Sequence, residues 1–147
     1  MKTSSIPIAI QLQTEIFQNG QLDEHFFDVP GQFVQIGDSL YLRYQEPVKR
    51  EDGTQDDINV TFKIESDGSV QLIRADEHRM RLRFSYQEEN YTNYRTPFGM
   101  MQIRTITNNL RVTLKDRPAS GNVIIDYELY AGQEKLGVYH LRLKFTA

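Results

Sequence analysis

Apolar and polar residues alternate along almost the whole chain, the period of a strand that buries one face and wets the other. Ile6, Ile8, Ile10, Leu12 and Ile16 share one side of the first run, with Gln11, Gln13 and Glu15 on the other. The pattern returns in Leu40, Leu42 and Tyr44, then in Ile58, Val60, Phe62 and Ile64, then in Val70 and Leu72. Met80, Leu82, Phe84 and Tyr86 form the next inward set, with Arg79, Arg81 and Arg83 outward. Met101 and Ile103 share a face with Thr105 and Thr107, and Leu110, Val112 and Leu114 continue the alternation. The last two runs are the cleanest: Val123, Ile125, Tyr127 and Leu129, followed by Tyr139, Leu141, Leu143 and Phe145.

Between these runs lie residues that favour turns. Breaks are expected at 18–21, at Gly37-Asp38, at Ser66-Asp67-Gly68-Ser69, at 76–78, at 88–90, at Pro97-Phe98-Gly99, at Asn108-Asn109 and at 116–121. The segment from Leu22 to Gly31 reads as a strand end followed by a loop folded over one barrel mouth. Pro47 to Asp57 reads as a charged loop. Counting runs predicts about ten strands and no helix. A single closed sheet satisfies one-sided alternation and leaves no exposed edges. A two-sheet sandwich carries the same alternation; the unbroken meander of short connections favours an all-β antiparallel barrel.

At 147 residues the chain is expected to form a single domain over 1–147, large enough to bury a core without cross-links. It has no cysteine, which removes disulfides, thiolate metal sites and thiol nucleophiles. The start is too short and too alternating for a signal segment, and no run of apolar residues is long enough to span a membrane. A cytoplasmic protein without membrane contact is expected. The net charge of −3 argues against a general nucleic-acid binder. Charge is nonetheless uneven, with 5 basic and 12 acidic side chains in residues 1–73, against 12 and 8 in residues 74–147.

The informative residues are polar ones on inward faces. By parity Glu46 shares a face with Leu40, Leu42 and Tyr44, and Arg74 shares one with Val70 and Leu72. Each charge would be costly to bury alone, so the two are expected to pair or to hold a ligand. Inward Tyr44, Tyr86, Tyr127 and Tyr139 offer hydroxyls to the same interior, and Tyr94 and Thr96 approach it from the Pro97–Gly99 corner. The bland alternative is a buried ion pair with tyrosines that plug the barrel mouth.

Other chemistry is thin. His25, His78 and His140 lack metal-ligand spacing, so no metal or cofactor is expected. No Gly-x-Ser-x-Gly, phosphate-cradling glycine loop or paired-carboxylate signature occurs, and one inward acid does not make a glycosidase. An enzyme is therefore the less favoured class. Arg79, Arg81 and Arg83, extended by Arg95, Arg104 and Arg111 with Tyr91 nearby, resemble an RNA surface only weakly. A solvated sheet face with partners such as Glu88 and Glu89 accounts for them better. Outward Met100, Ile106, Ile124, Tyr130 and Val138 suggest a patch that a second copy covers.

Several of these residues also occur in a recognisable order. Tyr44-x-Glu46, inward Arg74, Tyr94-x-Thr96-Pro97-Phe98-Gly99, Leu110, and Tyr127-x-Leu129 followed by Gly137 resemble the YwiB-like family of uncharacterised bacterial proteins. The likeness runs over nearly the whole chain, and the Tyr-x-Thr-Pro-aromatic-Gly corner is its most specific part. It implies a lipocalin-like (calycin) β-barrel from a Gram-positive bacterium, with no established activity and no catalytic residues to carry over. The chain departs from the family at Asp76, where a glycine is expected two positions after the arginine. Taken together, these features lead to a barrel that binds a small, partly apolar ligand, with Arg74, Glu46 and the tyrosines at the polar end. The alternatives are a homodimeric or protein-interaction module with a packed interior and, more weakly, an RNA-associated barrel.

Overall fold

Backbone pairing decides how alternating strands assemble, because each N–H and C=O that leaves water needs a partner. The computed structural model describes residues 4–76, 79–116 and 119–147. The expected turns at 76–78 and 116–121 fall partly outside the described residues, as do His78 and the first three residues. Ten strands account for most of the rest: β1 (Ser4–Gln18), β2 (Gln21–Ile36), β3 (Ser39–Lys49), β4 (Gln55–Ile64), β5 (Val70–Ala75), β6 (Arg79–Phe84), β7 (Glu89–Thr96), β8 (Gly99–Asp116), β9 (Ala119–Ala131) and β10 (Glu134–Thr146). They form one sheet in the order β6-β5-β4-β3-β2-β1-β10-β9-β8-β7. Antiparallel pairing of β1 with β10 joins the two halves, and the strands at the two sheet ends, β6 and β7, are neighbours in the chain. The molecule is a nearly closed antiparallel barrel. No helix among the described residues is long and apolar enough to cross a membrane.

Inward residues of all the long strands meet in one core, in which Phe62, Phe84, Phe145, Ile10, Leu42 and Ile125 are fully buried. Burying each such side chain contributes about 1.5–3 kcal/mol. The β6–β7 seam closes without a regular ladder. There the Thr92 hydroxyl donates to the Arg81 carbonyl, and the Gln87 N–H donates to Thr107 O at 2.9 Å. Thr107 Oγ1 and Asn90 Nδ2, both buried on the strands beside this seam, find no partner among the described residues.

A second gap is written into the covalent chain. Asn19 and Gly20 both take positive φ (52° and 76°) and close the β1–β2 hairpin, and Gly37 (φ 61°) opens the β2–β3 turn. Residues flanking a two-residue turn form a hydrogen-bonded pair, and every second residue repeats that orientation. Ile36, Val34 and Gln32 therefore turn their backbone groups toward β3, against Ser39, Tyr41 and Arg43. The next position on β2 is Pro30, and on β3 the row continues from Arg43 through Gln45 to Pro47. Neither has an N–H to donate. The β2–β3 ladder ends at Gly31–Tyr44, although β2 continues to pair with β1 back to Gln21, and β3 with β4 out to Lys49. The diverging edges border a cleft of ≈ 760 Å³.

Four local expectations are corrected. Leu22 to Gly31 is strand β2, not a loop, because its exposed residues pair with β1 across the tight Asn19-Gly20 turn. Most of Pro47 to Asp57 is ladder, with only the residues between Lys49 and Gln55 left as a turn. Asn108-Asn109 is no turn: β8 runs through it, and the irregularity is a bulge between Thr107 and Asn109. The expected turn at 88–90 falls earlier, with Glu88 N–H donating to Ser85 O at 3.0 Å.

Gly31 marks the point where β2 leaves β3, and the two backbones approach closely there. An added Cβ would lie 2.5 Å from Ile10 Cδ1 and 2.7 Å from the Arg43 carbonyl oxygen. Gly31→Ala is expected to lower stability by about 1–3 kcal/mol through overpacking. Urea unfolding should show a reduced midpoint at unchanged slope. An unchanged midpoint would show that no close approach exists.

Candidate functional site

Strand parity turns Leu42, Tyr44 and Glu46 of β3 into the barrel, and the same rule turns Leu72 and Arg74 inward on β5. Val60 of β4 lies between them in the ladder, opposite Tyr44 on one side and Arg74 on the other. Across it the Glu46 carboxylate meets the Arg74 guanidinium, with Oε2 and Nη2 2.5 Å apart. The Glu46 side chain is 9% exposed and that of Arg74 is 33% exposed. The acid is the buried partner, and the arginine reaches toward the barrel mouth.

The pair borders an interior cavity of ≈ 200 Å³. Leu12, Phe62, Leu82 and Leu141 are among its apolar walls, and Tyr44, Tyr127 and Tyr139 line it as well. Tyr127 and Tyr139 are register partners on β9 and β10, stacked with ring centroids 4.8 Å apart and planes 3° from parallel. Phe84 packs on Tyr127 from the other side at 4.6 Å, and Tyr44 stacks on Phe62 at 6.4 Å. Among the described residues no hydrogen-bond partner meets the hydroxyls of these three tyrosines. Burial pushes the Tyr44 phenol well above its ordinary range; the Glu46 carboxylate adds to that push and Arg74 offsets part of it. Tyr127 is raised mainly by burial and further by Tyr139, and Tyr139 is raised by burial alone.

Of the residues expected from parity, Tyr44, Glu46, Arg74, Tyr127 and Tyr139 come together on this cavity. Three do not. Tyr86 is a correction: β6 stops at Phe84, so the inward alternation ends, and Tyr86 sits in the following turn at 56% exposure. Tyr94 is half-buried against the core without lining the cavity. The Thr96 hydroxyl donates to Gly99 O at 2.8 Å and accepts from Phe98 N–H at 3.2 Å. It pins the β7–β8 turn, whose Phe98 is fully exposed, rather than lining the interior. Thr14 and Met80 also line the cavity, beyond the site residues that the sequence indicates. The signal for Thr14 was present, since it lies between Leu12 and Ile16 on the inward face. Asp76, the point of departure from the expected glycine, accepts from Arg50 at 2.9 Å and ties the β3–β4 turn to the end of β5.

Comparison with known proteins bears on the fold and the family. A family model described as "Domain of unknown function (DUF1934)" matches residues 10–143. The chain belongs to this family. It is 21% identical over 139 residues to the "Uncharacterized beta-barrel protein YwiB" of Bacillus subtilis (strain 168), covering 95% of this chain and 92% of that protein. The crystal structure of ywiB protein from Bacillus subtilis superposes with a TM-score of 0.78 at 20% identity, over 97% of this chain and 92% of that one. At such identity the likeness establishes the shared DUF1934 barrel and its antiparallel architecture. The YwiB-like resemblance carried by Tyr44-x-Glu46 and the Tyr94–Gly99 corner is thereby borne out.

Unequal burial of the ion pair makes its two halves unequal in mutation. Arg74→Ala leaves a buried carboxylate without its partner and is expected to cost about 3 kcal/mol or more. Glu46→Ala leaves an arginine that can extend toward water, so its cost should be smaller, about 1–2 kcal/mol. Equal losses in chemical unfolding would show that both groups are equally solvated.

The buried phenols set an alkaline limit. Their folded pKa values lie above the ordinary phenol value near 10, so the unfolded chain releases its protons first as pH rises. The stability they contribute is fully present below about pH 10 and is lost progressively above it. Melting temperature should fall above that pH, and the Tyr44→Phe/Tyr127→Phe double variant should show a shallower fall. A parent and double variant with the same alkaline slope would contradict this assignment.

Proposed function

We propose that the barrel binds a small, partly apolar molecule in its interior cavity, in the manner of a lipocalin-like carrier. One observation carries this reading. Three tyrosine hydroxyls without partners among the described residues and a largely buried ion pair all border one ≈ 200 Å³ space in an otherwise packed core. A cavity lined only by aliphatic groups needs no polar contents, whereas donors and acceptors line this one together with leucine, valine and phenylalanine.

Size and charge narrow the ligand. The space equals roughly seven water volumes of ~30 Å³ each, which suits a compact molecule and not a long acyl chain. Glu46 and Arg74 neutralise each other, so the favoured ligand is neutral or zwitterionic, with a polar group that meets the pair or the phenols. An anion alone would have to displace Glu46 from Arg74. Nothing in this reading requires catalysis, since the site holds one carboxylate and no activated nucleophile.

A thermal-shift screen of small neutral and zwitterionic metabolites tests the reading. A ligand at one hundred times its Kd stabilises the native state by about 2.7 kcal/mol, a shift that is easily measured. Leu129→Trp, which fills the cavity from its wall, should abolish that shift while the variant still melts cooperatively. If no compound raises the melting temperature, or if the filled variant responds like the parent, interior binding is wrong.

A further inference from the structure

The cleft between β2 and β3 is bounded by backbone edges, and its chemistry differs from that of the interior cavity. On β2 the hydrogen-bonding parity that leads back from Gln32 through Pro30 continues to Asp28, Phe26, Glu24 and Leu22. The N–H and C=O groups of these four residues point away from β1, and no strand among the described residues pairs with them there. An unpaired row of this kind is a template for another strand.

Charge and apolar surface specify what that strand must be. The segment Gln21–Pro30 carries Asp23, Glu24 and Asp28 and no lysine or arginine. All three carboxylates are exposed, and none has an ion-pair partner among the described residues. Along β2 the side chains of Glu24, Phe26 and Asp28 face outward, whereas Phe27 and Val29 pack inward against the core. Tyr44 and Val60, both buried, border the cleft alongside Gln45, Asp57 and Asn59. A strand laid beside β2 would set one row of side chains along Asp23, Phe27 and Val29 and the other along Glu24, Phe26 and Asp28, so each row meets both carboxylate and apolar surface.

We propose that the β2 edge from Leu22 to Asp28 accepts an extended peptide of alternating apolar and basic residues, which adds to the sheet and covers the cleft. Pro30 and Pro47 keep the place vacant by denying β2 and β3 the donors needed to zip together. The acids then select the sign of the partner. A second copy pairing through the same edge would bring Asp23, Glu24 and Asp28 against their own counterparts, so like-charge repulsion disfavours that occupant. Two cations lie near the cleft: Arg43 lines its closed end with its guanidinium 5.1 Å from the Tyr41 ring, and Lys49 belongs to the facing strand; neither lies on the Leu22–Asp28 edge. The proposal does not rest on the interior ligand.

The test uses the full chain and a short acetylated peptide of alternating lysine and valine, with a glutamate–valine peptide as control. Fluorescence anisotropy should show binding of the lysine peptide that weakens with salt, and none of the glutamate peptide. Amide exchange should slow at Leu22, Glu24, Phe26 and Asp28 when the peptide is present. Glu24→Lys/Asp28→Lys, checked for an unchanged melting temperature, should weaken binding by about tenfold or more through like-charge contact. Equal binding of both peptides, protection confined to other strands, or no binding at all would overturn the proposal. Light scattering that shows a dimer whose formation alone protects these four amides would also overturn it, in favour of a second copy.

Discussion

The requirement that buried backbone groups be paired governs this molecule more than any single side chain does. Ten alternating strands each offer one dry face, and only a sheet that curls back on itself gathers those faces into one core. Pairing of β1 with β10 makes that curl, since it joins the first and last strands of the chain in the middle of the sheet. Ladder pairing lapses at two places, and the rest of the structure answers to them. At the β6–β7 seam, side-chain and turn hydrogen bonds replace the ladder, at the expense of unpartnered groups on Thr107 and Asn90. At the β2–β3 cleft nothing among the described residues replaces it, because two prolines remove the donors from facing edges.

Polar and apolar groups share the interior. Phe62, Phe84 and Phe145 are fully buried. Tyr44, Glu46, Arg74, Tyr127 and Tyr139 border the cavity, with Phe62 among its apolar walls. The Glu46–Arg74 pair is tolerable there because the arginine side chain keeps a third of its surface exposed. Deeper placement would have left both ions to offset their desolvation by mutual attraction alone. Tyr44 and Val60 line both the cavity and the cleft, so the lateral gap and the interior are neighbours across these two residues.

Much of this was legible from alternation. Parity placed Glu46 and Arg74 on inward faces, and burial cost then required them to meet, as they do. The same reasoning failed where a strand stopped. Tyr86 continues the spacing of Leu82 and Phe84, yet a strand that ends at Phe84 cannot turn it inward. It failed again at Leu22 to Gly31, whose acidic and exposed residues carry no inward pattern. That segment is a strand because β1 supplies a complete ladder partner, not because its own side chains demand one. Asn108-Asn109 misled for the opposite reason: asparagine tolerates a turn, but pairing with β9 on both sides holds β8 continuous through a bulge.

The amino-acid sequence by itself determined the strand content, the face that each clear strand buries, and the interruption marked by Pro30 and Pro47. All of these are local consequences of side-chain period and of a missing N–H. Tertiary structure alone decided which edges meet, how far each ladder runs and how much space is left inside. Those outcomes depend on register summed around the whole barrel, where a shift of one residue would exchange inside for outside on every strand. The ≈ 200 Å³ cavity and the Tyr127–Tyr139 stack beside it are products of that closure, formed by residues far apart in the chain.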